Sequence, residues 1–134
     1  MYASASVSGG GTDRTMMQQT LKEFGFDAAH QTPPHSGLHG HSFRVEVVLS
    51  GVPDPVFGWT HNLDEVEPVI DALRRELDQR YLNDIEGLSV PTLENLARWI
   101  WHRLSDRLEG LEHVTVRRGQ PGMSEGCTYS GRHS

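Results

Sequence analysis

Leu38-His39-Gly40-His41-Ser42-Phe43-Arg44-Val45-Glu46-Val47-Val48-Leu49-Ser50 is the stretch from which the rest of the chain can be read. From Ser42 to Ser50, Phe43, Val45, Val47 and Leu49 alternate with Arg44, Glu46, Val48 and Ser50, which is the period of a half-buried strand. Gly51 ends it. His39 and His41 precede the alternation two residues apart, so on a strand both imidazoles point to one face. A third histidine, His30 in Phe26-Asp27-Ala28-Ala29-His30, arrives from a neighbouring strand and completes three ligands. Three protein nitrogens with a fourth position left open is the arrangement zinc uses for catalysis, whereas structural zinc is usually closed by four ligands and often rich in Cys. The chain has one cysteine, Cys127.

Outward from that strand, Met16 to Phe26 reads as a strand leading into His30, and Gln31 to Gly37, with Pro33-Pro34, as a loop. Pro53-Asp54-Pro55 marks a turn and Val56 to Thr60 a short strand. A helical segment follows, with Val66, Ile70, Leu73, Leu77 and Tyr81 on one face. Asn62 is a candidate cap, with Glu65 three residues on, but Pro68 would then fall in the first turns, which moves the expected start toward Glu67. In the second helix Thr92 caps, Leu93, Leu96, Ile100, Leu104 and Leu108 form the stripe, and Gly110 stops it. Trp99 and Trp101 lie on neighbouring sides of it, so at least one is expected to pack on the sheet or a neighbouring subunit. Val114 to Arg118 and Thr128-Tyr129 finish as strands. Two strands, two helices and two strands give an α+β fold, an antiparallel sheet with both helices on one face.

The length of 134 residues, with 36% hydrophobic and 22% charged residues, suits one globular domain over 16–134, preceded by a Ser/Gly-rich tail over 1–15 expected to be flexible. No apolar run approaches the roughly 18 residues needed to span a bilayer, and the start lacks the basic and apolar regions of a signal peptide. No membrane association is expected. One cysteine excludes an internal disulfide framework and agrees with a cytoplasmic location. The net charge of -6 argues against general nucleic-acid binding, although the pairs Arg74-Arg75 and Arg117-Arg118 could still hold a phosphate.

From Gln18 to Gly131 the chain resembles the 6-pyruvoyl-tetrahydropterin synthase / 6-carboxytetrahydropterin synthase family. The resemblance rests on Phe26-Asp27-Ala28-Ala29-His30, Leu38-His39-Gly40-His41-Ser42-Phe43, Leu77-Asp78 with Tyr81-Leu82-Asn83-Asp84, Pro91-Thr92-Leu93-Glu94-Asn95-Leu96, and Gly126-Cys127-Thr128-Tyr129. It implies a tunnelling fold, in which each subunit gives a four-stranded antiparallel sheet with two helices and a homo-oligomer joins the sheets into a barrel with active sites at subunit interfaces. It further implies zinc on His30, His39 and His41, and a pterin-like small molecule such as dihydroneopterin triphosphate as substrate. Family members eliminate triphosphate, or also lose a side-chain fragment on the route to deazapurines such as queuosine.

The groups that move protons and hold the ring in that family are replaced here. Counting back from Leu38, His35 stands at the position of the family's thiolate. Three readings of His35 stay open: a replacement base, a fourth zinc ligand that would close the site, or a solvated loop residue. The family's Asp-His pair is Asp78-Gln79, and glutamine neither takes up nor releases a proton at neutral pH. Asp78 is thus a catalytic candidate without its partner. Val116-Arg117-Arg118-Gly119-Gln120-Pro121 stands where a pterin-anchoring Glu-Thr is expected, which leaves Glu125 as the candidate substrate carboxylate. Cys127 reads as a small buried residue. A zinc-binding homologue with an altered substrate or no turnover is the alternative to a lyase.

Overall fold

The computed structural model describes residues 17–32, 37 and 39–131, together with the backbone but not the side chain of His39. The N-terminal segment and His35 lie outside the described residues. The elements are β1 (Gln18–His30), β2 (His39–Gly51), α1 (Leu63–Leu77), β3 (Arg80–Tyr81), a single 3-10 turn (Leu82–Asp84), α2 (Leu93–Ser105), β4 (Leu111–Arg118) and β5 (Glu125–Tyr129). The sheet runs β3-β1-β2-β4-β5.

Four of these strands pair antiparallel, as the sequence predicts, and β3 adds a fifth. It joins β1 in parallel over two residues, Ala28 opposite Arg80 and Ala29 opposite Tyr81. The first strand runs on to His30 rather than stopping at Phe26, because Phe26-His30 pairs residue for residue with His39-Phe43.

Alternation does the packing. Phe24, Phe26, Ala28 and His30 of β1, and Phe43, Val45, Val47 and Leu49 of β2, face the helices and are buried. Phe26 and Phe43 stack with ring centroids 5.1 Å apart. Each such side chain taken from water contributes about 2–3 kcal/mol. The other face carries polar groups such as Glu46 and Arg117, ion-paired at 3.2 Å. Against the first face lie Val66, Ile70, Leu73 and Leu77 of α1 and Leu93, Leu96, Ala97, Ile100, Trp101 and Leu104 of α2.

Several boundaries differ from expectation, among them the end of α1, which stops at Leu77 and leaves Tyr81 in β3 rather than on the helix stripe. Asn62 caps α1, its side chain accepting from the Asp64 N–H at 3.0 Å, so the helix starts before Pro68 rather than at it. Pro68 and Asp64 are both exposed, and water can take the carbonyl that proline leaves unbonded. Val56–Thr60 is not a strand. The Asp54 carboxylate accepts the Val56 and Phe57 N–H groups at 2.9 and 2.8 Å, and the Asp54 N–H donates to the Trp59 carbonyl at 2.8 Å, closing a loop. Such a side chain outcompetes the ladder for these donors. Helix α2 ends at Ser105, with Leu108 buried in the following turn, and Gly110 turns the chain into β4. There φ is 77° and a Cβ would meet the Ser50 carbonyl oxygen at 2.3 Å. Thr92 caps α2 as expected, accepting from the Asn95 N–H at 3.1 Å, and Trp101 packs edge-on against Tyr129. No helix among the described residues is long and apolar enough to cross a membrane.

Candidate functional site

His30 ends β1 fully buried, and His41 stands on the neighbouring strand with Ala28 opposite it. Their rings meet edge to face, centroids 4.9 Å apart. Phe43, two residues along β2, lies 5.7 Å from each ring and walls off one side. The Nε2 atoms of both histidines are buried. His39 occupies the β2 position opposite His30, and its side chain lies outside the described part. Among the described residues no group of three His, Cys, Asp or Glu side chains is arranged to hold a metal ion.

The orientation of His30 is fixed by its neighbour. Nδ1 lies 3.0 Å from the Pro91 carbonyl oxygen, which can only accept, so Nδ1 carries a hydrogen and ligation would fall to Nε2. A ligating histidine is usually oriented by such a bond through its other nitrogen. Two imidazoles side by side in a protected place, one oriented through its Nδ1, fit a borderline-soft divalent cation such as zinc.

Distant parts of the sequence build this arrangement. The Asn95 amide donates to the Val90 carbonyl at 2.8 Å and Thr92 caps α2, which together fix the turn carrying Pro91. After His30, Asn83 accepts the Gln31 N–H at 2.9 Å and donates to the Gln31 carbonyl at 2.8 Å. Asn83, Thr92 and Asn95 thus hold the backbone around the histidines.

Asp78 caps the C-terminal end of α1. Its Oδ1 accepts the Asp27 N–H at 2.9 Å, and its Oδ2 lies 3.4 Å from Arg74. Gln79 follows with φ at 62°, its N–H donating to the Asp27 carbonyl at 2.7 Å. Both peptide groups of Asp27 are therefore tied to residues 78–79. Its carboxylate faces the other way and accepts from the Ser42 hydroxyl at 2.6 Å. Asp27, His41, Ser42, Gln79, Arg80 and Tyr81 are among the walls of a cleft of ≈ 580 Å³.

Glu125 begins β5 and is ion-paired to Arg118 at 2.9 Å. It shares a row with Arg118 and Phe43, so it stands on the face of His41 but two strands away, about 10 Å by strand spacing. The described chain does not bring it to the histidines. Cys127 packs against the core; burial pushes its thiol pKa up, and the Glu94 carboxylate adds to the rise. Sequence reasoning gave no role to Asp27, Ser42, Arg80 or Tyr81. The available signal was the strand period, which puts Asp27 and Ser42 on the face opposite the histidines.

Comparison with known proteins gives the family and the fold. The sequence profile of the family described as "6-pyruvoyl tetrahydropterin synthase" matches residues 19–131. The chain is 37% identical to a 6-carboxy-5,6,7,8-tetrahydropterin synthase of Synechocystis over 122 residues, 84% of this chain and 89% of that protein. It is 36% identical to a dihydroneopterin monophosphate aldolase of Pyrococcus furiosus over 97 residues, 71% of this chain and 82% of the relative. The structure of Caenorhabditis elegans 6-pyruvoyl tetrahydropterin synthase superposes with a TM-score of 0.76 at 23% identity, covering 87% of this chain and 96% of that one. This last likeness shows the fold.

Proposed function

The chain belongs to the 6-pyruvoyl tetrahydropterin synthase family, and we propose that it is a zinc-dependent lyase acting on the side chain of a reduced pterin, dihydroneopterin triphosphate or a close phosphorylated analogue. The observation that carries the reading is the His30–His41 pair with His30 oriented by Pro91. His30, His39 and His41 would hold the metal. When bound, zinc supplies positive charge to stabilise an oxyanion developing on a substrate side-chain oxygen.

Around it the chain's own residues have separate tasks. The Pro91 carbonyl orients His30, and the Phe43 ring excludes water from one side of the histidines. His35 is assigned as the proton carrier, because an imidazole titrates near neutrality and Gln79 cannot titrate there. Two bond-breaking reactions fit. Elimination takes a proton from carbon, forms a carbon-carbon double bond and expels the phosphate; carbon-carbon cleavage takes a proton from a side-chain hydroxyl, forms the carbonyl of a departing aldehyde and leaves the electron pair on the pterin-bearing carbon, which takes up a proton. The Pyrococcus relative's name, an aldolase of a monophosphate, supports keeping the second.

We also propose a homo-oligomer with interfacial sites, located in the cytoplasm. The sheet ends in β3 on one side and β5 on the other, and unpaired edges invite pairing with another copy. Joining β5 of one subunit to the next subunit's opposite edge would carry Glu125 toward the neighbouring subunit, where a carboxylate can accept two N–H bonds from an aminopyrimidine edge.

Gln79 in the place of a titrating residue favours a second reading, a zinc-binding homologue that binds a pterin without turning it over. Incubation of the zinc-loaded protein with dihydroneopterin triphosphate and with the monophosphate, followed by mass spectrometry, separates the two. A new pterin product lost on His35→Ala supports the lyase. Absence of product from both substrates removes it and leaves the binding reading.

A further inference from the structure

Three consecutive residues on the cleft wall, Gln79, Arg80 and Tyr81, differ from most polar groups of this fold. Among the described residues the Gln79 side-chain amide and the Tyr81 hydroxyl make no hydrogen bond. Arg80 makes no ion pair there, and its guanidinium has a single contact, to the Arg75 carbonyl at 3.5 Å. Arg74, by contrast, holds Asp78 and the Gly25 carbonyl, Arg117 holds Glu46 and Arg118 holds Glu125. The main chain at these residues is meanwhile fixed. Gln79 N–H is bound to Asp27, and Arg80 and Tyr81 pair with Ala28 and Ala29. The side chains are therefore presented from a rigid edge without being used by the fold.

A guanidinium offers donors in a fork that matches phosphate oxygens, and the Gln79 amide and the Tyr81 hydroxyl belong to residues lining the same cleft. The cleft's carboxylate, Asp27, already accepts from Ser42, which reduces its opposition to an anion. A volume of ≈ 580 Å³ accommodates a small phosphorylated molecule. We infer that the cleft beside β3 is the subsite for the phosphate ester of the substrate, with Arg80 as its anion-binding residue and Gln79 and Tyr81 as neutral donors. This rests on the reading of the protein as acting on a phosphorylated pterin. On this account Gln79 holds the substrate and does not move its proton.

The full-length protein is titrated with inorganic tripolyphosphate by calorimetry, in parallel with Arg80→Gln, Arg80→Lys, Tyr81→Phe and Arg98→Gln. Arg98 is an exposed arginine of α2 that does not line the cleft, so it controls for net charge. Arg80→Gln is expected to weaken binding roughly tenfold or more, Arg80→Lys and Tyr81→Phe by less, and Arg98→Gln by under about twofold. Added salt should weaken wild-type binding and shrink the gap between it and Arg80→Gln. No binding by the wild type, or equal losses in Arg80→Gln and Arg98→Gln, overturns the inference. Should Arg80→Gln fail to fold, Tyr81→Phe and Arg80→Lys carry the same comparison. The outcome is independent of turnover: tripolyphosphate binding that depends on Arg80 can stand where no pterin is converted. Conversion of a pterin by a protein indifferent to Arg80 sinks the subsite alone.

Discussion

The Nδ1 of His30 bonds the carbonyl oxygen of Pro91 at 3.0 Å, across 61 residues of sequence. The bond ties the end of β1 to the turn before α2, so the geometry of the histidines depends on how that turn is capped. Thr92→Ala removes the cap and should cost about 1 kcal/mol in urea unfolding. It should also lower zinc affinity on the order of tenfold by releasing His30, whereas Thr92→Ser should keep both. Equal zinc affinity in all three proteins would separate the turn from the metal.

Metal analysis of the purified protein should give about one zinc per chain, and His39→Ala or His41→Ala should markedly reduce it. Dialysis against a chelator should lower the midpoint of thermal unfolding, with zinc restoring it, since a ligand that binds only the folded state stabilises by mass action. A midpoint indifferent to chelator and zinc counts against a metal centre.

Gln79 has a φ of 62°, a left-handed conformation that costs a residue with a side chain about 1–2 kcal/mol. Gln79→Gly should be neutral to about 1 kcal/mol more stable, since glycine's greater unfolded freedom offsets part of the gain. Gln79→Val should lose about 1–2 kcal/mol, because a β-branched side chain tolerates this region poorly. Denaturant melts of the three decide it; identical stabilities would contradict a left-handed turn.

Asp78→Ala leaves the Asp27 N–H without its acceptor and should cost about 1–2 kcal/mol. If Asp78 acts only through the fold, steady-state rates below the melting range should fall by less than about threefold. A loss of a hundredfold or more in a folded variant would give the carboxylate a catalytic part.

Burial and Glu94 both raise the Cys127 pKa. Its alkylation rate should therefore rise with pH at a higher midpoint than that of a free cysteine. The linked effect on stability has the same sign: the folded protein holds the thiol proton longer than the unfolded chain does. This contribution is complete below the unfolded thiol's pKa, about 8.5, and is lost as pH rises toward the folded value. Cys127→Ala should remove that part of the alkaline loss.

The sheet was legible where one face repels water and the other does not. In β2 every second residue from Phe43 to Leu49 is apolar and buried, and Thr92 announces α2 by its own chemistry. The two residues of β3 are too few to carry a period, and they become a strand only because Ala28 and Ala29 offer an edge. Val56–Thr60 has strand-like residues, but the Asp54 carboxylate binds the donors a strand would need. His39 and His41 were readable as a pair because period two aligns them, and His30 as the end of the neighbouring strand. The Pro91 contact and the cleft were not, since each joins segments whose separation no local pattern encodes. Glu125 was read as a loop acid that could replace the missing anchor, and it opens β5 instead, ion-paired to Arg118.

The attachment of Asp27 to residues 78–79 runs through main-chain groups and the Asp78 carboxylate. Gln79 contributes only its N–H to that attachment, so what hangs from its Cα can change while strand pairing and helix end stay as they are. Position 79 is thus a place on the cleft wall where the side chain can change without refolding the scaffold.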